Sequence, residues 1–69
     1  MKEFANNLKK LRKERNMSQV QLANISGISV KTIQNYEQDR NGMAPTLPNL
    51  MMLADIFSVT PSYLLLWRR

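Results

Sequence analysis

Three observations predict an all-α fold, a compact five-helix bundle. Two apolar stripes recur at helical spacing, Phe4/Leu8/Leu11 and Leu50/Leu53/Ala54/Phe57. Ser18, Ser29 and the pair Thr60-Pro61 carry the signals of helix starts. No alternating apolar and polar run survives the helical assignment, so no strand is expected.

The first helix runs from about Glu3 to Arg15, with Arg15 continuing the stripe of Phe4, Leu8 and Leu11. Asn16 can take the left-handed conformation that closes a helix. Ser18 then opens the second helix as an N-cap. Gln21 completes a capping box with it, and Met17 staples onto Leu22. Gly27 supplies a turn with positive φ, which a residue lacking Cβ adopts without strain. Ser29 caps the third helix, with Ile28 and Ile33 as a second staple. The stretch "QDRNGMAP" reads as a loop, punctuated by Asn41-Gly42 and Pro45. Pro48 suits the first turn of the fourth helix. Thr60 caps the fifth, with Pro61 in first position. Met51 and Met52 are adjacent and cannot both face inward, so one is a filler or part of an interface.

All 69 residues are expected to form one domain, near the lower size limit for folding without metals or disulfides. The chain has no cysteine and no histidine, which removes disulfides and the commonest transition-metal ligands. No cofactor is implied. The first ten residues lack the apolar stretch of a secretory signal. No apolar run approaches the roughly 20 residues of a membrane-spanning helix. A soluble, cytoplasmic protein with no membrane partner is the expectation. Ten basic against five acidic residues give a net charge of +5. Residues 1 to 40 hold eight of the basic and four of the acidic side chains. This basic first half, beside a largely apolar second half, points to an anionic partner at one end and packing at the other.

The segment "GISVKTIQNYEQ", residues 27 to 38, divides its faces sharply. Ile33, Tyr36 and Glu37 share one face; Lys31 and Asn35 share the opposite one, with Gln34 beside them. Amide and amine side chains held outward on a rigid helix suit contact with a partner. Glu37 on the inward face is costly unless a cation meets it.

Gln19, Ala23, Gly27 and Ile33 stand at offsets of 0, 4, 8 and 14, with Leu22, Ile28 and Tyr36 in the apolar slots between and beyond them. "LRKERNMSQVQLANISGISVKTIQNYE" resembles the core pattern of the phage repressor and Cro type of helix-turn-helix, the XRE family. "LPNLMMLADIFSVTPSYLL" resembles its last two helices, so the resemblance covers residues 4 to 66. It implies a lambda-repressor-like DNA-binding domain, with the helix-turn-helix formed by helices two and three. Three positions depart from the family pattern. Ser26 stands where an apolar or alanine side chain is usual, and Asp39 where glycine is common before a shorter loop. Ile25 occupies a usually polar place and is expected to be exposed.

The resemblance further implies that the third helix enters the major groove of double-stranded DNA. Val30, Lys31, Thr32, Gln34 and Asn35 would then meet base edges. The chemistry is suitable: lysine donates to guanine O6 and N7, asparagine pairs with adenine N6 and N7, and valine meets a thymine methyl. Gln19 and Ser18 at the start of the second helix, Ser29, Arg12, Arg40 and Asn41 are the expected phosphate contacts. Arg12 is implied to pair with Glu37 first and to touch DNA second. Lys9, Lys10 and Lys13 are each expected to face solvent.

An enzyme is disfavoured. The carboxylates are scattered, two glycines cannot cradle a phosphate, and the usual bases and nucleophiles are missing. A helix-turn-helix domain can also serve as an antitoxin or anti-regulator through protein–protein binding. The outward face of the third helix would then be acidic or apolar; here it is polar and cationic, which favours a DNA-binding regulator, most simply a repressor. An antitoxin that represses its own operon satisfies both readings and adds a protein partner. Finally, the run "YLLLW" covers more than one face of a helix. Leu64 is expected inward. Tyr63, Leu65, Leu66 and Trp67 are expected to form a homodimer interface that places two third helices on a pseudo-palindromic operator.

Overall fold

The computed structural model describes residues 2–66, with only the backbone of Asn41 and Leu66. Five α-helices follow in order: α1 Lys2–Glu14, α2 Gln19–Ser26, α3 Val30–Glu37, α4 Leu47–Ile56 and α5 Pro61–Leu66. A single 3₁₀ turn, Arg40–Gly42, interrupts the loop between α3 and α4. No strand occurs among the described residues.

The helix boundaries follow from short-range chemistry. Ser18 Oγ accepts from the Gln21 N–H at 3.0 Å while Gln21 Oε1 accepts from the Ser18 N–H at 2.8 Å, the reciprocal capping box. Gly27 ends α2 at φ 77°, its N–H bonded to the Ala23 carbonyl. Ser29 caps α3 through the Thr32 N–H, and Thr46 caps α4 through the Asn49 N–H. Thr60 Oγ1 accepts from the Tyr63 N–H at the start of α5. Asn16 closes α1 with φ 56°.

The core draws on every helix. Phe4, Leu8, Leu22, Ile33, Leu53 and Leu64 are all fully buried, with Phe57 nearly so. Phe4 meets the Tyr36 ring edge-on, with centroids 5.2 Å apart. Both stripes read from the sequence therefore face inward, and so does Leu64.

Four details differ from the sequence expectation. Arg15 is exposed rather than inward: α1 ends at Glu14, and the guanidinium reaches past Phe57 to donate to its carbonyl at 3.1 Å. The aliphatic stem follows the stripe while the charge moves to the free carbonyls at the end of α4. Met51 and Met52 are both exposed, because Leu50, Leu53 and Ala54 already fill the inward arc of α4. Ser26 is buried in the place where an apolar side chain is usual, and its hydroxyl accepts from the buried Ile28 N–H at 3.1 Å and holds the turn. The expected loop contains the 3₁₀ turn, entered through Asp39 at φ 53°. Aspartate is among the few side chains that tolerate that region, which is why it can stand there in place of glycine.

Candidate nucleic-acid interface

The position of α3 is set by one polar knot at its C-terminal end. Arg12 Nε donates to Glu37 Oε2 at 2.7 Å and Nη2 donates to Oε1 at 2.9 Å, a two-pronged pair. Arg12 Nη1 donates to the Met17 carbonyl at 2.6 Å. The Glu37 side chain is 1% exposed and that of Arg12 10%. Hydrogen bonding to Glu37 raises the arginine's pKa above its ordinary value, against the opposing effect of burial. Gln19 Nε2 joins from the first turn of α2, donating to Glu37 Oε1 at 3.1 Å. One carboxylate thus ties α1, α2 and α3 together, and no buried polar side-chain atom among the described residues lacks a partner.

Around this anchor the inward residues of α3 are Ile33, Tyr36 and Glu37. Tyr36 is held from the other side by Asn49 Nδ2, which donates to its hydroxyl at 3.0 Å. The opposite arc carries Lys31 and Gln34 exposed, with Val30, Thr32 and Asn35 half-buried along its margins. The side chains of Lys31, Gln34 and Asn35 have no hydrogen bond or ion pair among the described residues. No carboxylate interrupts this arc, since the one acid of α3 is Glu37 and it faces inward. Ser29 Oγ donates to Thr32 Oγ1 at 2.9 Å while accepting from the Thr32 N–H. The two hydroxyls bond one another, and between them they retain one hydrogen for an outside acceptor.

Beside that arc, Ser18 accepts from Gln21 and keeps its hydroxyl hydrogen, and the N–H groups of Gln19 and Val20 have no backbone partner among the described residues. The amide of Gln19 points both ways: one N–H is fixed on Glu37, leaving its oxygen and second N–H for other use. Arg40, exposed on the 3₁₀ turn, donates through Nη2 to Gln38 Oε1. Asn41 lies in the same turn, its side chain outside the described residues. Arg12, by contrast, is committed to Glu37 and Met17 through all three of its nitrogens.

At the far side of the domain, Tyr63 and Leu65 are half-buried and pack on the domain's own core, so they offer less free surface than the apolar run suggested. Trp67 and the side chain of Leu66 lie outside the described residues. Large exposed apolar side chains stand instead on α4, at Leu47, Met51 and Met52. Pro48, Met51, Met52, Val59 and Pro61 line an apolar groove between α4 and the start of α5.

Several structural contacts escaped the sequence reading. Asn7 is buried and donates to the Tyr63 and Leu64 carbonyls at 3.2 and 3.0 Å, tying α1 to α5. An amide three residues after Phe4, on the edge of an apolar stripe, was the available signal. Arg15 carried a similar mark, as the polar end of that stripe, and Asn49 carried none. Among the described residues no group of His, Cys, Asp or Glu could hold a metal ion, and no helix is long and apolar enough to cross a membrane.

No curated protein and no solved structure matches the chain. A family model described as helix-turn-helix matches residues 8–64, from α1 to α5 and including both helices of the motif. That family is one of DNA-binding regulators rather than of enzymes. With α2 and α3 joined through Gly27 and α3 pinned by the Arg12–Glu37 pair, the chain belongs to the Cro and repressor (XRE) type of helix-turn-helix proteins, DNA-binding regulators of transcription.

Proposed function

We propose that this protein is a sequence-specific repressor that inserts α3 into the major groove of duplex DNA. The observation that carries this reading is the outward arc of α3. Lys31, Gln34 and Asn35 are held on a fixed helix, free of internal partners and of neighbouring carboxylates. Lys31, Asn35 and Gln34 read base edges, with Val30 and Thr32 at the margins of the contact. Ser18, Gln19 and the free N–H groups of the first turn of α2 hold one phosphate. Arg40 and Asn41 hold another beyond α3, with Ser29 at the start of α3 as a further phosphate contact. Arg12 acts through Glu37, by fixing α3, rather than by touching DNA.

Salt dependence tests the reading. With roughly four to six phosphates neutralised per dimer, log K should fall against log salt with a slope of about −4 to −5. A selection from random duplexes supplies the preferred site for that titration. A flat salt response, or a selection that enriches no sequence, would overturn the proposal.

The active form is a homodimer on a pseudo-palindromic site, its two α3 helices about 34 Å apart, one turn of B-DNA. Leu66 and Trp67 form the contact together with exposed Met51 and Met52 beside the start of α5. Sedimentation over rising concentration should reveal the dimer, and Leu66→Lys with Trp67→Lys should abolish it and weaken DNA binding. A monomer at every concentration, with DNA affinity indifferent to the double change, would defeat the dimer.

A further inference from the structure

The charges of α1 are sorted onto two flanks. Arg12, bonded to Glu37, marks the flank turned toward α3, and buried Ala5 lies seven residues before it on the same side. Asn7, bonded to the Tyr63 and Leu64 carbonyls, marks the flank turned toward α5. Residues three, four or seven apart share a face of an α-helix. Lys9 stands four after Ala5 and three before Arg12, Lys13 four after Lys9, and Lys2 seven before it. At about 100° per residue Lys9, Lys2 and Lys13 stand about 60°, 80° and 100° round from Arg12, so they form an exposed stripe that runs from the Arg12 flank onto the outer face of α1. Glu3, Lys10 and Glu14 stand four before, three after and seven after Asn7, so both acids of α1 fall on the α5 side.

A flank that only keeps a protein in solution interleaves its signs, as the α5 side does. The lysine stripe does not. No Asp or Glu stands three or four residues from Lys2, Lys9 or Lys13. The neighbours of Lys9 at that spacing include Lys13 and Arg12, and like charges so placed repel. The side chains of Lys2, Lys9 and Lys13 have no hydrogen bond or ion pair among the described residues. Glu37, the carboxylate on the adjoining part of α3, is already held by Arg12 and Gln19. An unneutralised cationic row therefore continues from the knot where Gln19, Ser18 and the start of α2 meet. From Lys2 to Lys13 it rises about 16 Å along the helix, long enough to pass more than one phosphate of a duplex strand.

We propose that Lys2, Lys9 and Lys13 form a sequence-independent phosphate track that extends the α3 interface along α1 onto the flanking duplex backbone. This rests on the DNA-binding reading given above and adds a second, non-reading surface to it. The track sets how strongly the protein holds any duplex, while α3 sets which one it prefers.

The test compares Lys9→Gln/Lys13→Gln with a charge-matched control, Lys10→Gln/Ser62→Glu, which removes the same net charge from the α5 side. Each is titrated with salt on the selected site and on sheared mixed-sequence duplex DNA. On a dimer the Lys9/Lys13 variant removes four charges and should take about 3–4 from the magnitude of the salt slope, which the track raises above that of the α3 interface alone. It should weaken on both DNAs by the same factor, so that the ratio of the two affinities stays at the parent's value. The control should keep nearly the parent's slope. Should the first variant melt early, Lys2→Gln/Lys9→Gln replaces it with the same expectation. Equal slopes in variant and control would overturn the track and leave the DNA-binding reading standing, as would a loss confined to the selected site. A parent that binds neither DNA would overturn both.

Discussion

Arg12→Ala should destabilise the domain by about 3–5 kcal/mol, because it leaves the Glu37 carboxylate buried and without its cation. The Glu37 side chain is 1% exposed, and only the single bond from Gln19 would remain to it. The Met17 carbonyl would lose its donor as well, loosening the entry to α2. For a domain of this size each kcal/mol shifts the melting temperature by roughly 4–8 °C, so a fall on the order of 15 °C or more is expected. Total stabilities of roughly 0.05–0.15 kcal/mol per residue make this loss a third or more of what holds the domain folded. Arg12→Met combined with Glu37→Leu should recover part of the loss, since an apolar pair removes the stranded charge. Thermal melts of parent, single and double variants measure this. A single variant that melts like the parent would show that the pair adds nothing to the fold.

The second large effect falls on binding with the fold left intact. Lys31→Ala and Asn35→Ala should each cost about 1–3 kcal/mol on the preferred site, roughly 5- to 150-fold in affinity, and relax base choice where they read. Neither side chain has an internal hydrogen bond or ion pair among the described residues, so both variants should melt close to the parent. That separation distinguishes them from Arg12→Ala. Gln19→Ala should act in both ways: it weakens binding on all sequences alike and removes one of the bonds on Glu37. If Asn35→Ala leaves affinity and base preference unchanged, the assignment of α3's reading face is wrong.

Most of what places α3 is legible in the amino-acid order, because it is made by contacts within a turn of helix. Ser18 with Gln21, Gly27, Ser29 with Thr32, and Thr60 before Pro61 act on backbone groups two to four residues away. Their spacing alone therefore settles where helices begin and end. The inward stripes are readable for the same reason: helical periodicity decides which side chains share a face. The two faces of α3, Ile33/Tyr36/Glu37 against Lys31/Asn35, follow directly. The Arg12–Glu37 pair was within reach as well, since a carboxylate on an apolar face demands a cation and the family resemblance names one.

What the order of residues left open depends on how helices cross. Asn7 meets carbonyls 56 and 57 residues away, Arg15 one 42 residues away, and Asn49 a hydroxyl across the α3–α4 loop. Periodicity says which face such a residue occupies, but not which neighbour is brought against that face or at what height. Gln19 illustrates the difference. Its place at the start of α2 is plain from Ser18, yet its bond to Glu37 exists only because α2 and α3 converge on the same carboxylate. For Met51 and Met52 the sequence said only that both could not face inward; packing left both outside once Leu50, Leu53 and Ala54 closed the core. The lysines of α1 look alike in one dimension. Tertiary contacts at Arg12 and Asn7 give α1 an α3 flank and an α5 flank, with Lys9 nearer the first and Lys10 nearer the second, because a helix face acquires its meaning only from the helix packed against it.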